Sequence, residues 1–160
     1  MTAASAVRVN SERGVMPVES KEFLKQVEKL DLRIKNKLIE QQQWKDIALG
    51  ITANMDGERV QSSGAKSKMA EAIDKCVDAE QEISQLVSEL IATKKKVIQT
   101  IEELDSAVEY DVLHRMYIQQ QDLQEIADHY RKEYGWATTT HGRALKHLQE
   151  ILDGKICDSL

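Results

Sequence analysis

The sequence predicts an all-α protein: a long antiparallel, coiled-coil-like helical hairpin, then a compact three-helix module. Three observations carry this. The 160 residues include one Pro and seven Gly, against about eight and eleven at average usage. Aromatic residues are 4% and charged residues 31%, a composition that suits long helices and not a sandwich or barrel. From Met69 to Leu104, apolar residues return at steps of three and four with no Gly or Pro between them.

The elements follow in order. Residues 1–19 hold small and polar residues, Gly14 and Pro17 without periodicity, and read as a disordered leader. Ser20 is the expected N-cap of a first helix whose stripe is Phe23, Val27, Leu30 and Ile34, with Leu24 and Leu38 alongside. The stripe weakens at Gln41, Gln42 and Gln43 and resumes at Trp44, Ile47, Ala48 and Ile51. Residues 53–66 contain Gly57, Ser62, Ser63 and Gly64 and read as a connection.

The second helix shows its stripe at Met69, Ile73, Cys76, Glu80, Ile83, Val87, Leu90, Lys94, Val97, Ile101 and Leu104. At about 58 Å it is too long to bury within a globule of this size. Its stripe needs a partner, either the first helix folded back or another chain. Glu80 and Lys94 interrupt the stripe and are candidates for setting register. Beyond residue 104 the segments shorten, with helices expected at 107–118, 122–134 and 137–152 and Gly135 separating the last two. Asp122 and Glu125 have capping-box spacing. The resulting plan is leader 1–19, hairpin 20–104, module 105–153 and tail 154–160.

Several functional classes fall away. No apolar run reaches the 18 or so residues of a membrane span, and no secretory signal is visible. The expected setting is cytoplasmic, with no membrane partner. Cys76 and Cys157 are too few for a disulfide scaffold and read as free thiols. His114, His129, His141 and His147 do not join a zinc-ligand spacing, so no metal is expected. No Ser-His-Asp, P-loop or dinucleotide signature appears, so no catalytic residue and no cofactor is assigned, and the chain reads as a non-enzyme. Asp105, Glu109 and Asp111 read as carboxylates at a helix junction. The net charge of −5 gives no overall basic field, so a nucleic-acid contact needs a local patch.

Such a patch lies in the C-terminal run. Leu123, Ile126, Ala127 and Tyr130 line one side of a helix, and Ala137, Ala144, Leu145, Leu148, Ile151 and Leu152 line another. With the helix ahead of them they form the sequence picture of a helix-turn-helix. The opposite side of the last helix offers Thr138, Thr139, Gly142, Arg143 and Lys146, and no carboxylate until Glu150. Short hydroxyls at the helix start can donate to phosphates or bases, and Arg and Lys can pair with phosphates.

Leu123-Gln-Glu-Ile-Ala, with Arg143-Ala-Leu-Lys-His-Leu following, resembles region 4 of sigma-70-type factors, which reads the −35 promoter element. The wider pattern adds Gly57-Glu-Arg-Val-Gln-Ser-Ser-Gly64, Lys68-Met69, Leu104-Asp105, Tyr110-Asp-Val-Leu113, Tyr117, Trp136 and His141-Gly-Arg-Ala-Leu145. Over residues 22–152 it is similar to small prophage-encoded sigma-like proteins and ArpU-type late transcription regulators. The resemblance implies a sequence-specific DNA-binding regulator of phage or prophage genes. Tyr134, Gly135, Thr138 and Thr139 then stand at base-reading positions, with Arg143 and Lys146 on the DNA backbone.

The sequence also departs from that pattern. Arg131 stands where region 4 often has Gly or Asn, which moves the expected turn to Gly135 or lengthens the helix before it. Gly135 replaces a common polar contact. Thr140 and His141 replace apolar residues, which predicts looser packing beneath the last helix. Region 2 has no counterpart, which favours an activator or accessory sigma-like factor. Double-stranded DNA is the expected partner, with host RNA polymerase and a second copy of the chain as further candidates. Glu58, Arg59, Gln61 and Ser62 at the hairpin tip are candidate partner-binding residues, or a plain turn. Two other readings stay open: a helical assembly protein, and a packaging subunit resembling a small terminase.

Overall fold

The computed structural model describes residues 18–55 and 63–158, and every regular element among them is helical. Helix α1 spans Val18–Met55 and α2 spans Ser63–Ile101. Helix α3 (Ala107–Leu113) runs on into a π-helical turn, His114–Ile118; α4 is Leu123–His129 and α5 is Tyr134–Asp158. Among the described residues, no helix is long and apolar enough to cross a membrane.

α1 and α2 lie side by side and antiparallel. Rising numbers on α1 meet falling numbers on α2: Phe23 lies under the Lys96 ammonium, Lys37 pairs with Glu82 at 2.8 Å, and Gln41 meets Cys76. On α2 the seam is rotated from the predicted stripe. The positions turned inward are Ala72, Cys76, Ala79, Ile83, Leu86, Leu90 and Val97. Ala72, Ala79 and Leu86 thus replace Ile73, Glu80 and Val87. Alanine lets two long helices approach closely, so the seam follows small side chains that a search for large apolar residues passes over. Lys94 sits half-buried at the seam's edge, 3.9 Å from Asp31. Cys76 is a free, half-buried thiol; the Cys157 side chain lies outside the described residues.

Other boundaries also move. Helix α1 begins before Ser20, which is no N-cap: it is buried in the first turn, and its backbone N–H donates to Gln149 Oε1 on α5 at 2.9 Å. The orphan donor of a helix start is met by a distant side chain instead of a local one. The helices extend into the expected 53–66 connection from both sides, to Met55 and from Ser63. The expected helix 107–118 changes to π-helical hydrogen bonding at His114, with Gln119 N–H donating to the His114 carbonyl at 3.1 Å. α5 continues through Gly154, where a tail was expected.

One core gathers both ends of the chain. Leu24 and Val27 of α1, Val97 and Ile101 of α2, Leu104, Leu113, Tyr117, and Ala144, Leu145 and Leu148 of α5 form a single buried cluster. The last helix is therefore seated on the base of the long pair. Gln120 Nε2 donates to Asp31, and Lys155 pairs with Glu103 at 2.6 Å, on further sides of that junction.

Candidate nucleic-acid interface

The candidate site is the outward face of α5, set by how α4 starts and stops. Asp122 accepts from Glu125 N–H at 2.8 Å, and Glu125 Oε2 accepts from Asp122 N–H at 2.8 Å, completing the capping box. Ile126 and Ala127 are fully buried against α5. α4 ends at His129, five residues before the expected end. Lys132 N–H donates to the Ala127 carbonyl at 2.9 Å and Arg131 N–H to the Asp128 carbonyl at 3.0 Å. These are the paired bonds of a Schellman motif. Arg131 takes its left-handed position, with φ 53°. The turn therefore stays at Arg131, despite the side chain, and does not move to Gly135. The Glu133 carbonyl accepts from Trp136 and Ala137 N–H to open α5, and Gly135 lies inside the first turn of that helix.

α5 buries Ala137, Thr140, His141, Ala144, Leu145 and Leu148. Gly135, Thr139, Arg143 and Lys146 form an exposed line on its other side. Tyr134, 52% exposed, and the half-buried Thr138 flank that line. The six predicted DNA-facing residues are thus brought onto one helix, with four on a single stripe. A Cβ at Gly135 or Gly142 would meet nothing within 4 Å, so neither glycine is required by packing inside the chain.

Three details change the chemistry expected of this face. The Thr138 and Thr139 hydroxyls both donate to the Gly135 carbonyl, at 2.9 and 2.8 Å. Their oxygens are left as acceptors, where donors to DNA were expected. Arg143 Nε donates to Glu109 Oε1 at 2.7 Å while its side chain stays 54% exposed. His147 Nδ1 lies 2.7 Å from the other Glu109 oxygen. Arg143 is therefore a clamp on α3 as well as a surface cation. Burial pushes the Glu109 carboxyl up, but the His147 and Arg143 hydrogen bonds pull it down further, and it is held below its ordinary value. Glu109 is a structural carboxylate that the sequence reading placed at a helix start; its spacing to Val112 and Leu113 on one buried face was the available signal.

The layer beneath the face is closed, not loose. Thr140 and His141 are both buried, and the Tyr117 hydroxyl lies 3.0 Å from His141 Nε2 with the rings stacked. Burial, with a smaller contribution from Lys21, pulls His141 down to about 4, so it sits there neutral. Burial likewise pushes the Tyr117 hydroxyl up to about 12. Trp136 packs on Tyr130 with ring centres 5.0 Å apart, and the Tyr130 hydroxyl donates to Asp111 at 2.5 Å. Arg115 Nε donates to the same Asp111 oxygen at 2.7 Å, locking the end of α4 to α3.

Two further cations stand near this face. Arg131 and Lys132 are exposed in the turn just ahead of α5, beside Glu133. Glu58, Arg59, Gln61 and Ser62 lie outside the described residues. Among the described residues, no group of three or more His, Cys, Asp or Glu could hold a metal ion. No family model matches the chain, and no curated protein or solved structure matches it significantly.

Proposed function

We propose that the chain is a sequence-specific DNA-binding transcription regulator of phage or prophage genes. It acts as an activator or accessory sigma-like factor, in keeping with its resemblance to sigma region 4 and ArpU-type regulators. In this reading α3, α4 and α5 are a helix-turn-helix module on the end of a helical hairpin. α5 is the recognition helix and enters the major groove by its N-terminal turns.

The observation that supports this best is the run 134–149. It is sixteen helical residues without a carboxylate, with Gly135, Thr139, Arg143 and Lys146 along its exposed line. A helix N-terminus and its free N–H groups favour a phosphate, and Arg131 and Lys132 stand beside it. Gly135 leaves room for a close backbone approach. The Thr138 and Thr139 oxygens suit base-edge donors such as adenine N6 or cytosine N4. Four cations on an acidic chain give modest, salt-sensitive affinity, so a second copy or RNA polymerase is needed for tight binding.

The test is selection of genomic fragments by the purified chain. The control is Lys132→Glu/Lys146→Glu, because both side chains are exposed and neither holds Glu109. A few promoter-proximal fragments enriched by the wild type and lost in the variant, at unchanged helicity, are expected. Equal recovery of bulk DNA by both proteins overturns the reading.

A further inference from the structure

The rotated seam leaves large apolar side chains on the outside of α2. Ile73, Val77, Val87 and Ile91 are 45%, 46%, 38% and 64% exposed. They are not scattered. With Glu80 and Ser84 they continue a 4,3 spacing, so the six share one helix face about 27 Å long. That face adjoins the seam that meets α1, each of its residues following a seam residue in the sequence. The Asp31–Lys94 pair marks where the two faces adjoin. Leu38 on α1 is a further exposed apolar side chain.

We infer that this face is covered by the same face of a second copy of the chain, running antiparallel about a two-fold axis near residue 82. The pattern of the face carries the assignment, because its spacing and its order of apolar, apolar, polar, polar, apolar, apolar are the same from either end: Ile73, Val77, Glu80, Ser84, Val87, Ile91. Antiparallel pairing sets Ile73 against the partner's Ile91, Val77 against the partner's Val87, and Glu80 against the partner's Ser84, whose hydroxyl can donate to the carboxylate. The flank is charged in the same sense. At the N-terminal end it carries the exposed acids Glu71, Asp74 and Asp78, and at the C-terminal end Lys95. An antiparallel dimer brings Lys95 to the partner's Glu71 and Asp74; a parallel one stacks acid on acid. A polar layer inside an apolar seam fixes register and orientation. This interface stands independently of DNA binding by α5.

The test is the mass of the full chain in solution, by sedimentation velocity from about 5 to about 500 µM, with helicity as a folding control. A monomer–dimer equilibrium is expected. Ile91→Glu is expected to weaken it at least tenfold, and Lys95→Glu to weaken it less. Adding Glu71→Lys and Asp74→Lys to Lys95→Glu is expected to restore it. In a Cys76→Ala/Cys157→Ser background, mixed Ile73→Cys and Ile91→Cys chains are expected to form the hetero-disulfide in preference to either homo-disulfide. A monomer at every concentration overturns the proposal and gives the face to a partner of different sequence. A larger ring, a dimer indifferent to Ile91→Glu, or preferred 73–73 disulfides overturns it too.

Discussion

Arg131 shows how a single residue can hold a turn against its own preference. Its φ of 53° is the left-handed position that glycine takes readily and other L-residues take at a cost of about 1 kcal/mol. The side chain is exposed, so Arg131→Gly is expected to raise stability by about 0.5–1 kcal/mol in urea unfolding. A loss of stability would mean that the arginine makes a contact outweighing its backbone strain. His141 and Glu109 give the protein a pH signature. His141 binds its proton near 6.5 when unfolded and near 4 when folded, so between those values the unfolded chain holds more protons and acid favours unfolding. Glu109 and Asp111 are held below 4.5 and 3.8, so what they contribute is full above those values and is lost as the pH falls further. Unfolding free energy is therefore expected to drop by up to about 3 kcal/mol between pH 6.5 and 4, and to keep falling below that. In His141→Gln the first part of the drop should shrink while the acid limb remains. A flat wild-type profile over that range would contradict the burial of a neutral imidazole. At this scale the sequence was only partly legible. The Asp122–Glu125 box could be read because both partners are local. The Glu109–Arg143–His147 clamp could not, because its members are 34 and 38 residues apart.

Among the elements, the long pair was legible in length and direction but not in phase. Periodicity reports that a helix has an apolar side. It does not say which of two adjoining stripes meets the neighbour when one of them contains Ala72 and Ala79. The start of α1 was misread for a related reason. Ser20 has the composition of a cap, yet its N–H is met by Gln149, 129 residues away. Gln149 also donates to Glu19 and Asp153, at 3.2 and 2.8 Å, so it joins the ends of two helices. Gln149→Ala is expected to lower stability by about 1 kcal/mol. Amide exchange should quicken at residues 18–22 and leave the middle of α2 unchanged. Uniform acceleration would show that the bond is not a local cap. In α4 the capping box and the buried Ile126 and Ala127 gave the helix, while its end at His129 depended on a backbone conformation that Arg131 does not advertise.

The molecule as a whole couples a pair of helices, each about 58 Å long, to a small module through one shared core. Because Leu24, Val27, Val97 and Ile101 pack with Leu145 and Leu148, the outward face of α5 is held by residues from both ends of the chain. That seating presents Tyr134, Gly135, Thr139, Arg143 and Lys146 to solvent while their neighbours are fixed. It also means that Arg143→Ala is a poor probe of DNA contact, since it leaves the buried Glu109 with one partner fewer. Lys132 and Lys146 carry no such duty. Binding of duplex DNA by this face predicts a salt dependence, measured on a labelled duplex for the wild type and Lys132→Glu/Lys146→Glu. With Arg131, Lys132, Arg143 and Lys146 each neutralising a phosphate, log K is expected to fall with log salt at a slope of about −3 to −4 per chain, and the variant's slope is expected to be shallower by about 2. Superimposable curves for the two proteins, or binding that ignores salt, would mean that this face does not hold DNA.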